Sequence, residues 1–171
     1  MTTAIRPARP DDTPVILDLI RGLAEYERLA HKVEATGDGL AAALFCDAPR
    51  VFCDLAEVDG EIAGFALWFY TFSTFVGRHG IYLEDLFVRP AFRGRGLGGA
   101  LVRRLARRCV EENLGRLEWS VLDWNEPAIQ FYRALGAHLL DDWTMCRVDG
   151  KALRALGVSA ATDIASTGGN A

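Results

Sequence analysis

Residues 81–100, IYLEDLFVRPAFRGRGLGGA, place an apolar strand, a glycine-rich turn and the start of a helix in direct succession. The strand covers 81–88 and stops before Pro90, which has no N–H for a sheet hydrogen bond. Four glycines follow within 94–99, and apolar residues then recur at helical spacing over about 97–113. A strand that enters a helix through a glycine turn indicates an α/β fold.

The flanking segments extend this pattern. Asp59-Gly60 separates two apolar runs and favours the positive φ angles of a tight hairpin. Further strands are predicted over 4–8, 50–58, 61–72, 116–122, 138–140 and 143–148. Further helices are predicted from the Asp11-Asp12 cap to about Glu27, and over 36–45 and 125–135. We expect one α/β domain over 1–157, with a sheet of mixed direction and helices on both faces, and a loose tail over 158–171.

Composition excludes several classes of function. The 171 residues include 19 Lys and Arg against 23 Asp and Glu, a net charge of −4, which argues against nucleic-acid or anionic-membrane partners and favours a small cationic one. The longest apolar run, over 62–70, is too short to span a bilayer. No secretory signal precedes the first strand, so we expect a cytoplasmic protein. Four cysteines and three histidines lack the spacing of a metal site, and we predict no metal.

The glycine run is suited to hold a phosphate group. Glycines allow close approach of a ligand to the backbone, and a helix start offers unpaired N–H groups. Gly94, Gly96 and Gly99 match the dinucleotide-binding GxGxxG, but that turn should follow the first strand of its unit, and it here falls in mid-chain. The favoured alternative is RxxGxG, formed by Arg93, Gly96 and Gly98 directly after the strand.

Blocks along most of the chain carry a family resemblance. They are EYE at 25–27, IYLED at 81–85, FV at 87–88, the glycine run, VLDWN at 121–125, FY at 131–132 and LGA at 135–137. In this order they resemble the GNAT superfamily of acyl-CoA-dependent N-acyltransferases, and within it the diamine (spermidine/spermine) and thialysine N-acetyltransferases. The resemblance covers about 5–156. It implies a mostly antiparallel sheet with a splayed central strand pair, acetyl-CoA as co-substrate and a homodimer.

Acetyl transfer to an amine needs a base and an acid. A free alkylamine has a pKa near 10.4 and is almost wholly protonated at neutral pH, while the departing CoA thiolate needs a proton. Strand alternation sends Glu84 and Asp85 to opposite faces, so only one can face the acetyl group. The resemblance implies that Glu84 binds the amine and accepts its proton, directly or through water, and that the Tyr132 hydroxyl is the general acid.

The resemblance also implies the ligand contacts. The backbone of Leu86, Phe87 and Val88 would pair with the pantetheine arm. The pyrophosphate would lie on Arg93, Gly94, Arg95, Gly96, Leu97, Gly98 and Gly99. Asn125 and Ala128 would touch the cofactor at the start of the helix that carries Tyr132. Substrate contacts would come from Tyr26, Glu27, Glu84, Glu118, Trp119 and Ser120. The sequence itself does not show the strand bulge that the family carries.

Residues 72–75 lack the acidic residue that the polyamine enzymes carry in this segment. This difference narrows the range of expected amine substrates. We therefore predict a short diamine or a lysine-like amino acid. Cys109 lies on the apolar face of its predicted helix. Direct attack in a ternary complex is therefore favoured over a covalent cysteine intermediate. The alternatives are acetylation of a protein lysine or N-terminus, and a non-catalytic acyl-CoA-binding module.

Overall fold

The computed structural model describes residues 2–166. Its strands form one sheet in chain order: β1 (Thr3–Pro7), β2 (Phe52–Val58), β3 (Glu61–Ser73), β4 (Arg78–Val88) and β5 (Leu117–Trp119). The pairs from β1 to β4 are antiparallel, and β5 runs parallel to β4. This order confirms the predicted sheet of mixed, mostly antiparallel direction.

The helices are α1 (Thr13–Tyr26), α2 (Gly37–Leu44), α3 (Leu97–Glu111), α4 (Glu126–Ala134) and α5 (Gly150–Ser166). Of these, α1 packs on one face of the sheet and α3 on the other, so helices cover both faces as predicted. On one face, Ile16 and Leu19 of α1 pack in a buried cluster with Phe65 and Phe87. Within the described residues, no helix has the length and apolar character needed to cross a membrane.

On the other face, α3 is tied to the sheet through a buried carboxylate. Asp54 of β2 is only 3% exposed, and it accepts hydrogen bonds from Arg104 Nε at 2.7 Å and Trp68 Nε1 at 3.0 Å. Arg108 lies over the Trp68 ring, 5.0 Å from its centroid. Arg104 turns onto the sheet because a buried carboxylate such as Asp54 must be paired.

A β-bulge interrupts the pairing of β3 with β4. Leu67 lies opposite Asp85 and Trp68 opposite Leu83, which leaves Glu84 as the extra residue. The bulge reverses the alternation beyond it, so Asp85 lies on the same face as Phe87, the face that α1 covers. Simple strand alternation therefore does not hold across residues 83–85, and it cannot decide which of Glu84 and Asp85 faces the open edge.

The β4–β5 pair opens at this bulge. The last paired residues are Leu83 of β4 and Trp119 of β5, where β5 ends. Beyond them, the edge of β4 from Glu84 to Val88 has no β5 partner among the described residues. The splayed strand pair implied by the resemblance is thus β4 and β5, and its opening begins at an acidic residue.

The chain divides into two compact units, Met1–Gln130 and Phe131–Ala171. In the second unit the two strands predicted over 138–140 and 143–148 are wrong, because 138–149 contains neither strand nor helix. Its apolar side chains are exposed, Trp143 by 75%, and within the described residues no strand pairs with them. Helix α5 occupies most of the expected loose tail, in an alanine-rich segment that favours helix, and 167–171 lies outside the described residues.

Candidate active site

Three carboxylates converge where the strands separate. Glu84 is the exposed bulge residue, Asp85 follows it half-buried, and Glu27 ends α1. Burial, together with the nearby charges of Glu84 and Glu27, raises the pKa of Asp85 to about 6. Burial also raises the pKa of Glu27. Within residues 2–166 no salt bridge engages any of the three. A cationic ligand would relieve this accumulation of negative charge.

Asp85→Asn is expected to stabilise the protein above neutral pH. Because the pKa of Asp85 is raised from 3.8 to about 6, the folded state holds this proton more tightly than the unfolded chain, and stability falls as pH rises across that interval. The variant should gain about 3 kcal/mol in free energy of unfolding near pH 8, and this gain should vanish below about pH 4. Denaturant unfolding at both pH values measures it, with exposed Glu34→Gln as the control. A gain that persists at low pH would contradict the assignment.

The glycine turn leaves its backbone open to a ligand. Gly94 and Gly96 have φ of 76° and 77°, a conformation that favours glycine. A Cβ built on either would meet nothing within 4 Å, so the surface above both residues is open. Gly96 is the N-cap of α3, and the unpaired N–H groups of the first helical turn follow at once. This turn therefore has the geometry of an anion site and fits a pyrophosphate.

The arginines of the glycine turn contact residues around it, and buried residues hold the helix that follows it in place. Arg93 donates from Nε to the carbonyl of Val88 at 3.0 Å, and its guanidinium lies 4.8 Å from the ring centroid of Tyr26. Arg95 donates to the carbonyl of Ala91 at 3.2 Å. Leu97 is buried in the core, so any contact it makes with a phosphate would come from its backbone. The turn is thereby held against the end of β4.

Tyr26 connects α1 to the start of α4. Its hydroxyl donates to Asn125 Oδ1 at 3.1 Å, and the Ala128 N–H donates to the same oxygen at 3.4 Å. Asn125 is buried, and it caps α4 as predicted. The Tyr26 and Trp124 rings lie 6.2 Å apart. Predicted substrate and cofactor residues that are far apart in the sequence thus meet beside the glycine turn.

The predicted residues of β5 have partners of their own. Glu118 forms a 2.6 Å salt bridge with Arg116, and Ser120 Oγ lies 2.7 Å from the hydroxyl of Tyr82. Trp119 is half-buried at the last position paired with β4. The negative charge of Glu118 is already balanced, so this residue is a weaker candidate for binding an amine than Glu27 or Glu84.

Tyr132 lies in the second unit, on α4, where its ring centroid is 5.1 Å from that of Phe131. Its role as general acid stays a prediction. In the part of the chain that the structure describes, no group of three or more His, Cys, Asp or Glu side chains is arranged to hold a metal ion.

The site therefore combines a splayed strand edge, a glycine turn at a helix start and adjacent carboxylates. Residues 17–137 match the model of the acetyltransferase (GNAT) family, and the chain belongs to that family. It is an acetyltransferase of amine substrates. It is 38% identical over 163 residues to a thialysine N-epsilon-acetyltransferase of Bos taurus, covering 89% of this chain and 95% of the relative.

Other proteins resemble this chain in sequence or in fold. An L-ornithine N5-acetyltransferase of Arabidopsis thaliana is 32% identical, with 91% of this chain and 88% of that protein covered. An integron cassette protein from V. cholerae superposes with a TM-score of 0.77 at 26% identity, covering 92% of this chain and 98% of that one. A ribosomal-protein-alanine N-acetyltransferase from Brucella melitensis, at 19% identity and a TM-score of 0.68, shares the fold.

Proposed function

We propose that this protein transfers the acetyl group of acetyl-CoA to a primary amine of a small diamine or a lysine-like amino acid, by direct attack in a ternary complex. The observation that carries the proposal is the bulge at Glu84, which opens the β4 edge and places carboxylates beside it. The glycine turn follows on the same strand-to-helix connection.

Acetyl-CoA fits the strand edge and the turn. The backbone of Leu86, Phe87 and Val88 lies on the edge that β5 leaves unpaired, where it can pair with the pantetheine arm. The open surface at Gly94 and Gly96, with the helix start behind it, suits the pyrophosphate. The Arg93 contacts hold the turn in place for this role.

The reaction forms a bond from the amine nitrogen to the acetyl carbon and breaks the bond from that carbon to sulfur. The amine arrives protonated and is attracted by Glu27, Glu84 and Asp85. Glu84, the most exposed of the three, accepts the amine proton directly or through water. Tyr132 donates its phenolic proton to the departing thiolate, and the second proton that the nitrogen loses as the amide forms returns to the Tyr132 phenolate through solvent. Each residue therefore acts where charge changes during the transfer.

Direct attack is supported by the state of the cysteines. Burial raises the pKa of Cys53 and of Cys109, so neither thiol is activated as a nucleophile. Cys109 lies in the buried face of α3, and its Sγ contacts the carbonyl of Arg116. Neither side chain is suited to carry an acetyl group between substrates.

The proposal of a small amine acceptor is supported by the relatives, two of which are named for the basic amino acids thialysine and ornithine. A third, from Homo sapiens, is named as spermidine/spermine N(1)-acetyltransferase-like. A small basic amine also matches the three carboxylates that lack a cation. We further infer a homodimer, supported by the exposed apolar side chains over 139–148, which a second copy would cover.

The test is a panel of amines with acetyl-CoA, in which released CoA is measured with a thiol reagent. We expect turnover with short diamines and basic amino acids. Turnover with peptides alone would favour a protein acetyltransferase. CoA binding without thiol release from any amine would favour a non-catalytic acyl-CoA-binding module.

A further inference from the structure

Arg28 occupies a backbone position that favours glycine. It follows Glu27 at the end of α1 with φ of 62°, in the left-handed region. Its N–H donates to the carbonyl of Glu25 at 3.1 Å, and the N–H of Leu29 donates to that of Ala24 at 2.7 Å. This is the hydrogen-bond pattern of a Schellman cap, whose left-handed residue is usually glycine. An arginine here strains the backbone, and such strain is often associated with function.

The guanidinium of Arg28 lies over an aromatic ring. Its central carbon is 5.6 Å from the centroid of Trp124, and both side chains are exposed. Among the described residues, no ion pair engages Arg28. A guanidinium held over an indole can still offer two parallel N–H donors to a carboxylate. Arg93, another arginine beside Tyr26, already donates to the Val88 carbonyl.

Arg28 also brings a positive charge to the end of α1, next to Glu27. Glu27, its chain neighbour, lies near enough to Asp85 to raise the pKa of that carboxyl. A site with three carboxylates attracts an amine but repels any carboxylate on the same substrate. A lysine-like amino acid carries both groups, whereas a diamine carries only amines. A cation at the position after Glu27 can attract that carboxylate from one side of the site.

We propose that Arg28, supported by Trp124, binds the α-carboxylate of an amino-acid substrate while Glu27, Glu84 and Asp85 bind its side-chain amine. This inference rests on the proposed function and names its substrate class. Arg28 selects amino acids over the diamines that lack the carboxylate.

The test compares matched substrates that differ only in the carboxylate: ornithine with putrescine, and lysine with cadaverine. Arg28→Gly should lower the ratio of kcat/KM for each amino acid over its diamine by about 10- to 100-fold, the range of a charge-assisted hydrogen-bond pair. Arg28→Lys should give an intermediate ratio, because a lysine keeps the charge but not the planar fork. Arg21→Gln, an exposed arginine on the same helix, should leave the ratio unchanged.

The melting temperature of the variant is the control for misfolding in this experiment. Glycine relieves the left-handed strain, so the Tm of Arg28→Gly should equal or exceed that of the parent protein. If both substrates of a pair are acetylated and Arg28→Gly leaves their ratio unchanged, the role of Arg28 is overturned while the proposed function stands. If the parent protein acetylates neither member of either pair, the role of Arg28 is overturned, and the wider amine panel decides the proposed function separately.

Discussion

Replacing Glu84 with Gln is expected to lower kcat/KM for the amine by about 100- to 1000-fold at neutral pH, the range of general base catalysis. Glutamine keeps the size of the side chain at the bulge but cannot accept a proton. The loss should be greatest where the amine is almost wholly protonated, and should shrink as pH approaches the amine pKa near 10. Initial rates from neutral to alkaline pH, at saturating acetyl-CoA, measure the effect.

Two variants make this test specific. Asp85→Asn removes the neighbouring carboxylate, and we expect it to weaken amine binding with a smaller effect on kcat than Glu84→Gln. Glu61→Gln, at the exposed start of β3, should leave the kinetics unchanged. A Glu84→Gln profile of unaltered shape, or a larger kcat loss in Asp85→Asn, would show that Glu84 is not the base.

Replacing Tyr132 with Phe is expected to lower kcat by about 100-fold, because the departing thiolate loses its proton donor. The aromatic ring remains, so the affinity for acetyl-CoA should change little. Single-turnover rates and calorimetric titration with CoA separate the two quantities.

Tyr70→Phe is the matched control, since that hydroxyl donates to Glu112 Oε2 at 2.7 Å on the exposed end of β3. Its kcat should equal that of the parent protein. An unchanged rate in Tyr132→Phe would remove this residue from the mechanism, and an equal loss of CoA affinity would indicate a binding role instead.

Much of the first unit could be predicted from local sequence signals. Asp59-Gly60 marks a two-residue hairpin turn, and Asn125 caps its helix because its short side chain can accept a backbone N–H. The glycines at 94 and 96 do adopt positive φ. Each of these signals depends on a few neighbouring residues, which is why it can be read without the fold.

The bulge could not be predicted in this way. It is a mismatch between two strands, so it depends on how β3 registers against β4 and leaves no mark in either strand alone. Alternation within β4 alone therefore cannot place Asp85, whose position opposite Leu67 on the face covered by α1 follows only from the register. The one available signal was a pair of adjacent acids within an apolar strand.

The prediction of strands over 138–140 and 143–148 is wrong for a related reason. Alternating apolar residues predict an extended segment, but a strand forms only where another strand offers hydrogen bonds. Trp143 and Met145 are instead 75% and 66% exposed. The spacing of apolar residues shows which side chains a strand could bury. Whether the strand forms depends on hydrogen bonds to a neighbouring strand.

Glu27 and Arg28 occupy consecutive positions where α1 ends, while the other groups proposed for the transfer lie on β4, on the turn after it and on α4. Part of the proposed acceptor recognition is therefore encoded apart from the proposed cofactor contacts. Codon changes at these two positions are expected to shift the range of accepted amines without altering the residues of the glycine turn. Directed evolution of acceptor range should accordingly begin with a library confined to positions 27 and 28.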